Sequence, residues 1–463
     1  MSTIEEKVGT LPAEFQTVFE LLAELLEAEA AEPCLPFGSP GELAGSVEPA
    51  LPDEGRSAAE LREALRRIVL STPRTATPAF VNQLFGGRLA PATAAEMLTA
   101  VLNNSMYTFK VAGIQILVER AVLGEMLRQV GFGDGEGIFC PGGSVSNLVA
   151  MLAARQHALP ETREQGLAGA PPLAVYASDQ AHYSIRKNAG ILGLGRENVH
   201  LIRTDDAGHI LPEELERALE ADRKRGLRPL MIVATAGTTV LGAFDPLPPL
   251  AELARRHDVW LHVDAALGGT LLFHPEHRRK LVGVEAASSV TWNLHKLVGV
   301  PLSASAILFP RRGVLQACLA EQADYLFQSD DDELNPGLRS IQCGRRNDAL
   351  KVWTAFQVLG RTGLARRVDH QLRLARYAAE RITGDPELDL VLPPESVNVC
   401  FRVRGADSAR LAAELDRRGV AKISWGSFRG KTFLRLPCVN ADLRESDIAR
   451  LLEQIKAVAR TLR

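Results

Sequence analysis

Between residues 79 and 310 the chain alternates short apolar runs with helical stretches, and no other feature of the sequence constrains its fold as tightly. Strand-length apolar runs occur at 172–177, 199–203, 229–235, 259–264, 288–293 and 304–309, and helical spacing fills most of the intervals, as at 212–224 and 247–256. Such alternation predicts an α/β fold with a mostly parallel sheet, because the crossover helices bury both faces of the strands. In sheets of this kind ligands bind beyond the carboxyl ends of the strands. Those ends are where chemistry is expected.

Two of them carry a complementary pair. The run 259–263 ends at Asp264, and the run 286–290 leads through Thr291-Trp292-Asn293-Leu294-His295 to Lys296. An amine and a carboxylate, each at the end of its own buried strand, suit pyridoxal phosphate, whose aldehyde needs the first and whose ring nitrogen needs the second. A lone lysine near a strand end is usually a solvated surface residue, so the pair gains weight only from its surroundings. Cys140-Pro141-Gly142-Gly143-Ser144-Val145-Ser146-Asn147 precedes a helical stretch and offers an anion cradle of paired glycines, hydroxyls and free helix N–H groups. Taken alone it also reads as a serine-capped helix after a tight turn. His182, after the strand 172–177, is placed to lie on a flat ring or to move protons, or to be a satisfied histidine at a helix start. The small and hydroxyl residues of Ala234-Thr235-Ala236-Gly237-Thr238-Thr239 permit close approach of a flat ligand, or make a plain strand-to-turn transition. All five features together point to one cofactor site.

The bulk properties bound the partners. The chain has 463 residues, 46% hydrophobic and 24% charged, with a formal net charge of −3, so nothing favours nucleic acid or an anionic membrane surface. No apolar run approaches the roughly 20 residues that span a bilayer. The six cysteines are scattered without a Cys-x-x-Cys pair, which argues against structural zinc and against a disulfide framework. No metal site is expected. The N-terminus lacks the basic start and apolar core of a secretory signal, so a cytoplasmic location is expected. Three regions are expected. Residues 1–78 form an N-terminal arm, with helices at 11–30 and 57–69 joined by a proline-rich connector. Residues 79–346 form the large cofactor-binding domain. Residues 347–463 comprise a long helix over 348–382 and a small domain with strands at 397–403 and 432–436. The arm cannot bury its apolar face alone and is expected to pack on the body or on a partner subunit.

Asn82-Gln83-Leu84-Phe85, Met106-Tyr107-Thr108, residues 137–144, His182-Tyr183-Ser184-Ile185, Gly242-Ala243-Phe244-Asp245, residues 261–266, Asn293–Lys296 and 342–346 together resemble the pyridoxal-phosphate-dependent group II amino-acid decarboxylases. The likeness is to the glutamate and cysteine sulfinate decarboxylase branch, and it runs from about residue 77 almost to the C-terminus. It implies an aspartate-aminotransferase-like fold (fold type I) and a homodimer with active sites at the subunit interface. It places Lys296 on the cofactor aldehyde, Asp264 on the ring nitrogen and His182 stacked on the ring. Ser144, Val145 and Ser146 match the phosphate-binding turn. Thr239, Ala266, Asn293 and His295 fall beside the cofactor, His295 within reach of the phosphate. Arg435 falls where the family holds a substrate carboxylate, a task suited to a guanidinium fork, and Gln83 and Phe85 fall in the side-chain pocket. The implied reaction is α-decarboxylation of a small acidic amino acid (aspartate, cysteine sulfinate or glutamate) to the amine and carbon dioxide.

Three positions depart from the family pattern. Leu267 stands where an aromatic residue is usual, and Leu294 where proline is usual. The loop between Phe327 and Gln342 is short and has no tyrosine, whereas acidic-substrate relatives carry there the tyrosine that returns a proton to Cα. That loop is closer to the diaminobutyrate decarboxylases, and its acids at 330–333 are either partners for a cationic substrate or a solvated run. Lys110 favours an acidic substrate instead. Three alternatives therefore stay open: L-2,4-diaminobutyrate decarboxylation, an aldehyde-forming reaction with oxygen, and a non-catalytic binding or scaffold relative.

Overall fold

The computed structural model describes residues 12–36, 38–45, 47, 51–321 and 332–462. Residues 328–331 of the loop before Gln342, with the acids at 330 and 331, lie outside these residues, as does the side chain of Asp332. Among the described residues the strands are β1 (Phe80–Val81), β2 (Glu136–Cys140), β3 (Leu173–Ser178), β4 (Val199–Ile202), β5 (Arg228–Thr235), β6 (Trp260–Asp264), β7 (Ser289–Asn293), β8 (Ser305–Phe309), β9 (Leu388–Leu390), β10 (Asn398–Val403), β11 (Lys422–Phe428) and β12 (Lys431–Pro437). Seven form the large sheet, in the order β2-β8-β7-β6-β5-β3-β4. All six apolar runs became strands of it. Five of them are mutually parallel, and β8 pairs antiparallel with β7 and β2. The chain has the fold type I architecture.

The strands are buried on both faces, which is why they read as continuous apolar runs. Successive residues of β5 sort the two cores: Met231 and Val233 join one cluster, Ile232 and Ala234 the other. The first cluster packs against the helix Gly143–Ala158, which follows β2 through Gly142 at φ +95°. The second is the larger and takes in the helix Ala349–Thr383. That helix, expected to be continuous, is broken once at Gly360, where φ is +59° and ψ 179°.

A second sheet has the order β1-β11-β12-β10-β9. Its β10 and β12 match the strands expected from apolar runs; β11 was not legible because buried and exposed residues alternate along it. Phe80–Val81 forms its edge and pairs parallel with β11. At the N-terminus, helices Ala13–Ala31 and Ala58–Ser71 pack together, tied by Arg62 to Glu20 and Glu24. No helix among the described residues is long and apolar enough to cross a membrane.

His209 ties the loop after β4 to the loop before β10, with Nε2 2.5 Å from Glu395 and Nδ1 3.0 Å from Asp205. The Glu395 hydrogen bond, opposed by burial and helped by both carboxylate charges, raises its pKa to about 9. The folded value thus exceeds the ordinary 6.5 or so of an unfolded chain. Its stabilisation is complete below pH 6.5 and disappears as pH rises through about 9. Thermal melts should show wild type losing stability between pH 7 and 10 more steeply than His209→Gln, by about 1 kcal/mol after discounting for solvent exposure. Parallel melting curves would refute the role of this pair.

Candidate active site

Side chains alternate along a strand, so Trp260, His262 and Asp264 share one face of β6, and Ser289, Thr291 and Asn293 share one face of β7. The parallel register sets His262 beside Ser289 and Asp264 beside Thr291. This polar stripe ends at a cavity of about 160 Å³. Of the residues singled out in the sequence, Ser144, His182, Thr239, Asp264, Ala266, Asn293 and Lys296 line it; Val145, Ser146, His295, Gln83, Phe85 and Arg435 do not. A larger cavity of about 550 Å³ borders Glu119, Arg120, Glu136, Arg312 and Arg339 and has neither an amine nor an imidazole in its wall. Size does not mark the site here; chemistry does.

Burial depresses the pKa of the Lys296 amine, with Asp264 opposing and Arg435 adding to the effect. No ion pair to Lys296 occurs among the described residues, and a lysine in that state is a competent nucleophile. Asp264 is 5% exposed; its Oδ1 accepts the Ala266 N–H (3.1 Å) and its Oδ2 the Asn147 amide (2.8 Å). Burial, reinforced by Lys296, also lowers the pKa of His182, whose Nδ1 lies 2.7 Å from Ser184 Oγ.

The glycine-rich turn is more selective than its sequence suggests. The N–H groups of Val145 and Ser146 are turned onto the Gly142 carbonyl, and Ser146 Oγ, fully buried, bonds Ser305 Oγ at 2.7 Å. The N–H groups of Gly143 and Ser144 have no partner among the described residues, which leaves two donors at a helix N-terminus beside the cavity. His295 turns its Nδ1 to Ala304, and burial lowers its pKa to about 4.

Arg435 is positioned by β12 against the turn that carries Thr239. Its Nε donates to Ser424 Oγ (3.0 Å), Nη1 to the Thr239 carbonyl (2.6 Å) and Nη2 to the Asn82 carbonyl (2.6 Å). A guanidinium has five N–H donors, so one remains on each terminal nitrogen. Asn82 brings the neighbouring Gln83 and Phe85 toward the same corner; Gln83 is exposed, and Phe85 is half-buried against Phe80. Leu267 and Leu294 are both buried in the larger core. Lys110 is exposed on a short helix, and Glu333 faces Arg120 and Arg312 rather than the cavity.

Elsewhere His274, His277 and Asp369 cluster with ligand-type atoms within 4.8 Å. His274 Nδ1 accepts the N–H groups of Glu276 and His277, so its own ring proton sits on Nε2 and no lone pair there is free for a metal.

The residues fit pyridoxal phosphate by their own chemistry. A depressed amine, a carboxylate and a neutral imidazole converge, two helix N–H groups await an anion, and the buried Thr235 Oγ1 on the cavity wall has no partner among the described residues. Fold and site thus define a pyridoxal-phosphate enzyme of fold type I. Residues 40–404 match the model of the pyridoxal-dependent decarboxylase conserved domain. The chain belongs to that family and is a pyridoxal-phosphate-dependent carboxy-lyase. It is 37% identical to cysteine sulfinic acid decarboxylase of Mus musculus, over 100% of this chain and 99% of that protein. It is 37% identical to acidic amino acid decarboxylase GADL1 of Mus musculus, over 91% of this chain and 81% of that one. The crystal structure of mouse CSAD superposes with a TM-score of 0.90 at 36% identity, covering 96% of this chain and 99% of that chain.

Sequence reading gave no role to Asn147, Ser184, His262 or Ser289. The available signal was the spacing His262-x-Asp264, which puts an imidazole on the same strand face as the carboxylate.

Proposed function

We propose that the protein removes the α-carboxyl group of a small acidic L-amino acid, with aspartate, cysteine sulfinate and glutamate as candidates, and releases the amine. The observation that carries this reading is the convergence of Lys296, Asp264 and His182 on one cavity, in a chain whose full-length relatives bear names of acidic-substrate enzymes.

Bound pyridoxal phosphate supplies an aldehyde that takes up amines and a protonated ring that accepts the electron pair left when carbon dioxide departs. Lys296 would hold the cofactor through its amine, and burial, which lowers that amine's pKa, favours the unprotonated form the task requires. Asp264 would face the ring nitrogen and hold its proton, aimed by the Ala266 N–H and the Asn147 amide. His182, neutral at working pH, covers the ring face and excludes water. The free N–H groups of Gly143 and Ser144, with the Ser144 hydroxyl, would hold the phosphate, and the two spare N–H donors of Arg435 would hold a substrate carboxylate in a fork. Gln83 and Phe85, beside Asn82, bound the far end of the substrate side chain.

The pairing of Glu333 with two arginines weakens its claim as a partner for a cationic substrate. Carbon dioxide and amine are measured over a panel of L-amino acids. Turnover of the acidic members is expected, and turnover only of 2,4-diaminobutyrate or of aromatic amino acids would refute the reading. The tyrosine-free stretch 328–341 favours a second outcome, in which oxygen is consumed and aldehyde, ammonia and hydrogen peroxide appear with the carbon dioxide. Amine equimolar with carbon dioxide, without peroxide, excludes it.

A homodimer is part of the same reading. Phe15, Val18, Phe19 and Leu26 on the first helix, and Leu61, Leu65 and Ile68 on its neighbour, are exposed, and apolar stripes of this size support burial against a second copy. Light scattering giving the mass of a single chain would refute it.

A further inference from the structure

Behind the cavity lies a hydrogen-bonded chain that no role in the reaction yet explains. Trp260 Nε1 donates to Ser289 Oγ at 2.9 Å, and Ser289 Oγ lies 2.9 Å from His262 Nδ1. His262 Nε2 lies 3.1 Å from Asn147 Oδ1, with Thr291 Oγ1 a distant neighbour at 3.5 Å. Asn147 Nδ2 then donates to two acceptors, Asp264 Oδ2 at 2.8 Å and Ser184 Oγ at 3.2 Å. Ser184 Oγ lies 2.7 Å from His182 Nδ1. Asn147 is 2% exposed, and His262, Ser289 and Ser184 are fully buried.

The direction of these bonds follows from the carboxylate end. At the far end an indole nitrogen only donates, so Ser289 Oγ accepts from Trp260 with one lone pair and is left free to donate to His262 Nδ1 or accept from it. Burial lowers the pKa of His262 to about 4, so the ring is neutral and carries a single ring proton. At the other end an ionised carboxylate only accepts. An amide oxygen 2.8 Å from Asp264 would be repelled, so the amide nitrogen must face it. Asn147 Oδ1 then faces His262 Nε2 and can only accept, so the ring proton sits on Nε2 and Nδ1 accepts the Ser289 hydroxyl. The Ser184 hydroxyl, receiving from Asn147, donates to His182 Nδ1, which also accepts the Ser184 N–H at 3.3 Å. The proton of neutral His182 is thereby held on Nε2.

We propose that Asn147 is a positioning residue that couples the ring-nitrogen acid Asp264 to the ring-covering His182, and that His262, backed by Ser289 and Trp260, locks the direction of its amide. One residue then does two things: it aims the Asp264 carboxylate, and it selects the His182 tautomer. The inference rests on the proposed roles of Asp264 and His182 toward the cofactor.

Full-length protein stripped of cofactor is titrated with pyridoxal phosphate, and the pH dependence of the bound cofactor's absorbance is recorded. The proteins compared are wild type, His262→Gln, His262→Leu and Ser289→Ala. Glutamine can still present an N–H to Asn147 Oδ1 and should bind within about 3-fold of wild type. Leucine frees the amide to reverse, so the cofactor Kd should rise about 10- to 100-fold and the absorbance transition should move in pH. Ser289→Ala removes only a hydroxyl and should move both readouts the same way by about 3-fold. Wild-type behaviour of His262→Leu, or equal losses in the leucine and glutamine variants, would overturn the proposal. If the leucine variant does not fold, an unchanged Ser289→Ala overturns it by itself. A wild-type protein that binds no pyridoxal phosphate would overturn the roles of Asp264 and His182 and this proposal with them, whereas wild-type-like variants would remove only the coupling.

Discussion

Lys296→Ala should lose amine formation by on the order of 10,000-fold or more, as removal of a covalent nucleophile does elsewhere, while the stripped protein stays folded. The two halves of that expectation come from the same observation. Lys296 sits on the cavity wall with its pKa lowered by burial, and no ion pair to it occurs among the described residues. Because the folded value is depressed, the unfolded chain holds the lysine proton more tightly, and a protonated Lys296 opposes folding at neutral pH. Alanine removes that penalty. Melting of the stripped variant at pH 7 should therefore occur at or above the wild-type temperature, with a weaker rise in stability toward high pH. Lys296→Arg should be equally inactive, because a guanidinium stays protonated and cannot act as the nucleophile. Substantial turnover by either variant would remove Lys296 from its proposed role. Inactivity together with a collapsed melting curve would show that the lysine is structural.

Asp264→Asn should reduce kcat/KM by about 100- to 1,000-fold at saturating cofactor, the scale seen when one preorganised charge partner is lost. Two effects act together. An amide leaves the ring nitrogen without a carboxylate to hold its proton. It also has one acceptor where Asp264 has two, and both are in use, Oδ1 by the Ala266 N–H and Oδ2 by Asn147 Nδ2. Either orientation of the new amide sets an N–H against a donor, so cofactor affinity should fall as well. Asp264→Glu keeps the charge but displaces it by a methylene, and should recover part of the loss. Steady-state kinetics with a cofactor titration check this. An asparagine variant within about 3-fold of wild type would show that the ring nitrogen takes its proton partner elsewhere.

Much of the fold was readable before any coordinates. The six apolar runs became six strands of one sheet because burial on both faces forces nearly every residue to be apolar. β2 escaped notice because Glu136 and Gly137 interrupt its apolar character, although its end supplies the Gly142–Gly143 turn. β1, two residues long, finds its partner on β11 more than 300 residues later, and no local pattern foretells such a pairing. Asp264, Lys296 and His182 were legible as site candidates because each stands just past a strand, where an open α/β sheet leaves room for a ligand. Val145 and Ser146 belong to the expected turn, yet the helix starts so tightly that their N–H groups are consumed by Gly142 and the Ser146 hydroxyl faces inward to Ser305.

The sequence by itself determined which residue types stand at the strand ends, because the period of an apolar run and the residue that breaks it are local properties. It also determined that no tyrosine lies between 328 and 341. Only the tertiary structure decided which polar groups face one another. Asn147, His262 and Ser289 are far apart in the chain, and they meet because β6 and β7 pair in one register while the helix Gly143–Ala158 lies across that face. Arg435 reaches Thr239 and Asn82 for the same kind of reason, since β12 brings it against two segments far from it in the chain. A hydrogen bond is set by distance and direction between atoms, and the long-range packing of the chain supplies both.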